Sequence, residues 1–527
     1  GNYQYDRYPD KYDKNNTIKI NVTQEINHES LITLDQSSQS ILMQIDKCIG
    51  CGQCVTKCAN ISGQNVLGIF QYNDTSKLIK RMQTKCGQNL VDTNCISCGQ
   101  CTLICPRGAI SEINSTIPVL NVLKNKGDRI VVCQFAPALR INMAEALGIE
   151  PGTITQGKLV TALKMLGFDY VFDTNFGADM TIVEEATEFI NRLNDPEAVF
   201  PMFTSCCPGW INFIEKSKPE LIPHLSSCKP PVHMLSAIIK NVFPKKIGID
   251  KDKIYNVAIV PCTAKKDEIK RYQHHNFTNA VITSRAIAQI ILDAGIDFKD
   301  LPETELDSIY SEYTGGGALF CVTGGVMEAL IRETYRLMTG KNMDPIDYTP
   351  VRGYTEGIKT ATFKVNGIKL DLAVAHGIEN AMILLEKIKN KEEGYENIKL
   401  IEVMACPGGC VMGGGSTKPN NDAEEKRINA TYRIDANKTK RVSQDNEQLN
   451  KLYNESLGGK YGSKEALELL HTYYTNRRVE KTWNIFFKDI KFNNKTINNS
   501  YSKAILKIEK NFINALKNFY LHNGRSI

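Results

Sequence analysis

What this sequence lacks narrows the reading first. Its 527 residues include 2 Trp and 8 His. The His show no pair spacing of the kind that holds a metal, so no imidazole-based centre is read from them. No apolar run approaches the ~18–20 residues that cross a bilayer, so no membrane span is expected. No Gly-x-Gly-x-x-Gly follows a strand-like run, which leaves a dinucleotide site unsupported. Net charge is +6, and residues 477–527 alone carry 11 Lys/Arg against 3 Asp/Glu. The body is therefore near neutral and offers no basic face for nucleic acid. No secretory leader is read at the start.

Cysteine is what the chain has in excess: 17 residues, an odd number, grouped at metal-ligand spacing and not scattered as in a disulfide framework. Thiolate ligands must stay reduced. The expected compartment is accordingly the cytoplasm or a reducing, hydrogenosome-like anaerobic organelle, not the outside of the cell. Cys48, Cys51, Cys54 and Cys58 form Cys-x2-Cys-x2-Cys-x3-Cys, and Cys95, Cys98, Cys101 and Cys105 repeat it, with Pro106 following. This is the spacing of bacterial two-cluster ferredoxins, in which the fourth Cys of each run ligates the other cluster. One [4Fe-4S] cluster is expected on Cys48, Cys51, Cys54 and Cys105, the second on Cys95, Cys98, Cys101 and Cys58. A pair of zinc sites is the bland alternative. Three thiolates at a three-residue step suit one cube better than a tetrahedral ion.

Four further cysteines lie in three short loops: Cys207 in Thr204–Trp210, Cys262 in Pro261–Glu268, and Cys406 with Cys410 in Glu402–Cys410. Thiolates converging from distant loops are what another cubane needs. The alternative is a set of buried, unligated cysteines among ordinary turns. Asn256–Val260 and Lys399–Met404 read as strands that deliver Cys262 and Cys406 at their carboxyl ends, where open α/β sheets place their sites. Arg129–Phe135, Tyr170–Phe172 and Leu370–Ala375 also read as buried strands. Glu184–Leu193, Leu235–Val242 and Ile378–Ile388 read as helices, and this alternation argues for parallel sheets. Gly408, Gly409 and Gly413–Gly415 would let the backbone approach a bulky cofactor. Cys86, Cys133, Cys228 and Cys321 match no ligand position and read as small buried hydrophobes.

In order and content, the three loops resemble the signature motifs of [FeFe]-hydrogenases, and Thr314–Glu328 is similar too. The resemblance spans about residues 41–475. It implies an α+β ferredoxin-like module followed by a two-lobed α/β catalytic domain with the cluster in the cleft. Cys207, Cys262, Cys406 and Cys410 would hold the cubane of the H-cluster, with Cys410 bridging to a two-iron subsite carrying CO, cyanide and a dithiolate. Lys265 would hydrogen-bond a cyanide, Met404 would pack near the subsite, and Ala136 and Pro137 would line its pocket. The Cys206 thiol would pass protons along a relay of Cys206, Glu185, Ser226 and Glu188. Without the resemblance, Glu185 and Glu188 read as a solvated helix face. Ferredoxin is the implied electron partner, and hydrogenase maturation proteins would supply the cofactor. Departures from the pattern are Val260 for Met, Lys229–Val232 for a stretch with Ser and Gln, Met412 for Asn and Ser416–Thr417 for Gln-Pro.

The expected organisation is a polar segment 1–40, a two-cluster domain 41–123, a catalytic domain 129–475 and a basic tail 476–527. In the tail Ile505, Ile508, Phe512, Leu516 and Phe519 recur at helical spacing among lysines. Packing on the body, docking of an acidic partner and membrane-surface binding are its three readings. Two rival functions stay open. One is the eukaryotic iron–sulfur assembly (prelamin-recognition) type, which resembles hydrogenases but lacks the two-iron subsite and usually the relay Cys. The other is a slow H2-sensing homologue.

Overall fold

The computed structural model describes residues 33–74, 77–85, 87–419 and 422–478. The polar start up to residue 32 and the amphipathic stretch 503–519 lie outside the described residues. Three short strands, β1 (Leu34–Asp35), β2 (Ile41–Gln44) and β5 (Ile110–Glu112), pair antiparallel beside the hairpin β3 (Leu67–Asp74)–β4 (Lys77–Thr84). Between them run helices α1 (Gln53–Ser62) and α2 (Gln100–Ile104). This is the cysteine-rich module.

Two sheets make up the rest. In the first, β6 (Ile130–Phe135), β7 (Tyr170–Asp173), β9 (Ile254–Val260) and β10 (Ala280–Thr283) are all parallel, in the order β10-β9-β6-β7. Their apolar runs are buried on both faces, as a helix-covered parallel sheet requires. The second is ordered β11-β12-β13-β8, from β8 (Met202–Phe203), β11 (Ile358–Val365), β12 (Ile368–His376) and β13 (Ile398–Met404). Here the expectation of parallel pairing needs correction: β11 and β12 are antiparallel. The cause is legible afterwards, because Asn366 (φ 49°) and Gly367 (φ 78°) make a two-residue turn with both residues left-handed.

Helix α3 (Thr174–Leu193) also differs from expectation, starting ten residues before Glu184. Asp173 caps it, its side chain accepting from the Asn175 N–H. Residues 174–183 are all buried, so this half has no solvent-facing stripe and its period is hidden. Arg140 reaches the same corner, both carboxylate oxygens of Asp173 accepting from it at 2.7 Å inside the core. The expected helices beginning near Leu235 and at Ile378 are α4 (Pro231–Asn241) and α6 (Ile378–Lys389), with α5 (Gly325–Thr339) between them.

Candidate active site

The turn chemistry of the module explains how each cysteine run serves two places. Gly52 and Gly99, at φ 76° and 72°, sit between the second and third cysteines and start α1 and α2. Only glycine takes that conformation at little cost, and it folds three thiols around one point. The fourth cysteine lies a helical turn farther on, displaced about 6 Å along the axis and so out of reach of that point. Cys48, Cys51, Cys54 and Cys105 accordingly line one cavity of about 320 Å³. Cys58, Cys95, Cys98 and Cys101 line another of about 400 Å³. Backbone N–H groups of Gly50 and Met82 point at Cys48 Sγ at 3.3 and 3.2 Å, donors suited to a thiolate.

All three catalytic-side loops leave the carboxyl ends of parallel strands. Cys207 follows β8, Cys262 follows β9, and Cys406 with Cys410 follows β13. The four thiols converge: burial pushes Cys410 well up, and Cys207, Cys262, Cys206 and Cys406 push it further by mutual repulsion. Cys262 and Cys406 are pushed to about 12, burial first, then their neighbours in the quartet. Four thiols packed this closely cannot all ionise beside one another unless a cation holds them. The donor set is all sulfur, so it fits a cubane.

The glycines of this region do something the sequence reading did not anticipate. A Cβ on Gly413 would stand 2.1 Å from the Pro261 carbonyl oxygen, and one on Gly414 2.1 Å from that of Cys98. They let the Cys410 loop press against the backbones carrying Cys262 and Cys98, protein against protein. Thr263 Oγ1 donates to the Ser97 carbonyl at 2.7 Å across the same contact. Cys98 is close enough to Cys406 for the two thiols to repel, and Cys101 to Cys54. The three quartets thus form a line from the exposed Cys51 to Cys406.

Met404, Cys206 and Cys410 pack about one apolar cluster with Ala178, Ile182 and Phe320. Ala136 packs in a second with Val232, Val260 and Cys262, and Pro137 is buried beside it. Val232 lies in the stretch that replaces the Ser and Gln of the family pattern, and Val260 stands for its Met, so that wall is apolar. Lys265 is buried, its Nζ donating to Glu268 Oε2 at 2.6 Å and to the Cys206 carbonyl at 3.4 Å. Burial pulls its ammonium down, but Glu268 outweighs this and holds it above the ordinary lysine value.

Cys206 is pushed well above a free thiol, by burial first and by Glu185 next, so it keeps its proton. Glu185 is fully buried, and neither carboxyl oxygen has a hydrogen-bond partner. The Ser226 hydroxyl and the Ser205 amide are polar neighbours outside hydrogen-bond geometry. Burial raises Glu185 to about 8. One helical turn on, Glu188 Oε2 accepts from Ser226 Oγ at 3.0 Å, and its Oε1 accepts from Arg192 at 2.7 Å. Glu188 also lines a cavity of about 550 Å³ that opens to solvent. The structure therefore sets Cys206, Glu185, Ser226 and Glu188 near one another, with one hydrogen bond among them, from Ser226 to Glu188.

Several nearby groups escaped the sequence reading. Glu402, raised to about 7 by burial, accepts from the Gly324 and Met327 amides at 2.8 and 2.6 Å and faces Cys206. His233 Nε2 pairs with Glu268 Oε2 at 3.0 Å, and the His233 ring stacks on His274 at 3.7 Å. Residues this far apart in sequence leave no spacing to detect. Only the alternation of Glu402 with Met404 along β13 hinted at a shared face.

Residues 129–414 match the family described as iron only hydrogenase large subunit, C-terminal domain. Residues 421–477 match iron hydrogenase small subunit, and 47–109 a 4Fe-4S dicluster domain. The chain is 40% identical over 452 residues, 84% of its length and 75% of the relative's, to "NADP-reducing hydrogenase subunit HndD" of Solidesulfovibrio fructosivorans. It is 38% identical to "Iron hydrogenase 1" of Clostridium pasteurianum, covering 84% of this chain and 77% of that protein. A "Cytosolic Fe-S cluster assembly factor narfl" of Danio rerio is 30% identical, over 68% of this chain and 88% of that one. Among solved structures, apo [FeFe]-hydrogenase HydA1 from Chlamydomonas reinhardtii superposes with a TM-score of 0.62 at 36% identity. That match covers 69% of this chain and 99% of the other.

Proposed function

The chain belongs to the iron-only hydrogenase family, an oxidoreductase family with two [4Fe-4S] clusters and an H-cluster, and we propose that it interconverts H2 with two protons and two electrons. Reduced ferredoxin is the donor in this reading. The observation that carries it is the packing of Cys206 against Cys410 on one side and its closeness to the buried carboxyl of Glu185 on the other.

When bound, the H-cluster supplies the iron sites at which protons and electrons combine. Cys207, Cys262, Cys406 and Cys410 would hold its cubane. Ala136, Pro137 and Met404 would keep water from the two-iron part, and Lys265 would offer an ammonium to an anionic ligand. Cys206 hands a proton inward and is recharged by Glu185, which stays protonated near neutral pH because it is buried. Ser226 links Glu185 to Glu188, and Glu188 takes protons from solvent. Electrons enter at the exposed Cys51 end and leave through Cys98 toward Cys406. Maturation proteins in a reducing compartment, cytoplasmic or organellar, would load the two-iron part.

The assembly-factor reading has the Danio rerio relative behind it, but it gives the Cys206–Glu185 pair nothing to do. An electron partner other than ferredoxin is favoured by one observation, the similarity to an NADP-reducing hydrogenase subunit. The test is reconstitution with iron, sulfide and a synthetic two-iron cofactor, followed by H2 evolution from reduced methyl viologen and from ferredoxin. Brisk H2 with CO and cyanide infrared bands supports the proposal. Absence of cofactor uptake moves the chain to the assembly-factor reading, and bands with little H2 to an H2 sensor.

A further inference from the structure

At the outer end of the proton series, Glu188 is joined by two further donors that proton transfer does not require, Cys228 and His471. Glu188, Cys228 and His471 come from three distant segments, α3, the bridge residue before α4 and the bridge residue after the last described helix. One carboxylate oxygen, the thiol sulfur and one imidazole nitrogen all lie within 4.8 Å of one another. Cys228 Sγ is 3.7 Å from Glu188 Oε2 and 3.9 Å from His471 Nε2. The backbones of Cys228 and His471 pair with each other, which fixes two of the three donors. His471 Nδ1 is 2.7 Å from the Ser227 hydroxyl, a contact that orients the ring as outer partners orient metal-binding imidazoles. Glu188, Ser227 and His471 line the solvent-open cavity of about 550 Å³, so an ion has a way in.

We propose that Glu188, Cys228 and His471 form a binding site for Zn2+ and that the bound ion closes the proton route. One sulfur, one nitrogen and one oxygen with a free fourth position form a donor set zinc accepts. Binding releases the Cys228 thiol proton to solvent and takes His471 Nε2 from its 3.0 Å contact with Glu184 Oε2. It also claims Glu188 Oε2, the oxygen that now accepts from the Ser226 hydroxyl. Arg192 holds the other carboxylate oxygen, Oε1, and stays in place. The relay then loses its outer carboxylate while the four-thiol quartet is untouched. The inhibitory half of this proposal rests on the hydrogenase reading; the binding half does not.

The experiment uses the cluster-loaded full chain and one equivalent of Zn2+. Zinc K-edge absorption should show one sulfur at about 2.3 Å with nitrogen and oxygen near 2.0 Å. Competition with a fluorescent zinc chelator should give one site, weakened at least tenfold in both Cys228→Ala and His471→Gln. Zinc should inhibit H2 evolution of the unaltered chain and spare both variants. Iron content and cluster spectra establish that each variant is loaded, and His471→Gln carries the test if Cys228→Ala is not. A sulfur-free zinc shell, unchanged affinity in the variants or no binding overturns the site. Tight binding without inhibition of an active enzyme overturns the relay-closing role. If the chain makes no H2 at all, the proposed function fails, while absorption and competition still decide the site.

Discussion

Replacing Glu185 by Gln tests the relay through two observables that a structural role would not move together. Burial raises this carboxyl from 4.5 to about 8, with no hydrogen bond to either oxygen. At about 1.36 kcal/mol per pH unit the rise corresponds to roughly 5 kcal/mol, an upper bound because the site can relax on ionisation. The sign follows from the folded value lying above the unfolded one. Below pH 4.5 both states bind the proton and no penalty exists; it grows as pH rises and is complete above about 8. Gln copies the protonated acid and cannot ionise. Glu185→Gln should therefore come within about 1 kcal/mol of the parent's stability at pH 5 and exceed it by a few kcal/mol at pH 9. Denaturant unfolding of loaded protein at both pH values reads this directly. Turnover should fall ~100- to 10,000-fold, the range general acid–base groups supply, because the series loses its central carrier. Reduction of the clusters by dithionite, followed by electron paramagnetic resonance, should be unchanged. A variant that keeps full H2 evolution, or shows the parent's alkaline loss of stability, would refute the reasoning.

Cys206→Ala should retain CO and cyanide bands after reconstitution and lose nearly all H2 evolution, since the last carrier is gone and all four quartet thiols remain. Gly414→Ala places a methyl carbon where 2.1 Å separates it from the Cys98 oxygen, so the two loops must part. We expect a cost of about 1–3 kcal/mol in unfolding, with ferredoxin-driven turnover falling more than viologen-driven turnover. Arg332 is fully buried and holds Glu328 at 2.6 Å and Asp435 at 2.8 Å. Arg332→Met leaves those carboxylates short of a cation and should cost about 3–5 kcal/mol, read as a lowered thermal midpoint. In the unaltered enzyme, H2 evolution should decline above pH ~8 as Glu185 gives up its proton.

Much of this protein was legible one-dimensionally because its chemistry is written in local spacing. Cys-x2-Cys-x2-Cys constrains a single tight turn, so residues 48–58 and 95–105 declare themselves without a fold. Apolar runs such as Ile130–Phe135 and Ile398–Met404 are equally local, and strands placed them close to where they lie. The order of the three cysteine loops carried the family, since each loop is a contiguous string. Buried elements were harder. The first half of α3 is buried on every side, with Asn175 and Asp179 satisfied inside the protein, and a helix with no solvent-facing stripe has no readable period. The β11–β12 hairpin was marked by Asn366-Gly367, but the strand–helix alternation around it suggested parallel pairing.

Tertiary structure alone decided which distant groups share a site and in which charge state. Sequence determined that Glu185 and Glu188 stand three residues apart; only packing makes one of them dry and protonated while Arg192 and solvent reach the other. Glu402, the His233–His274 stack and the Glu188–Cys228–His471 triad have no sequence spacing at all. They exist because separate strands and helices converge, and ionisation is set by what surrounds a group in space, not by its neighbours along the chain.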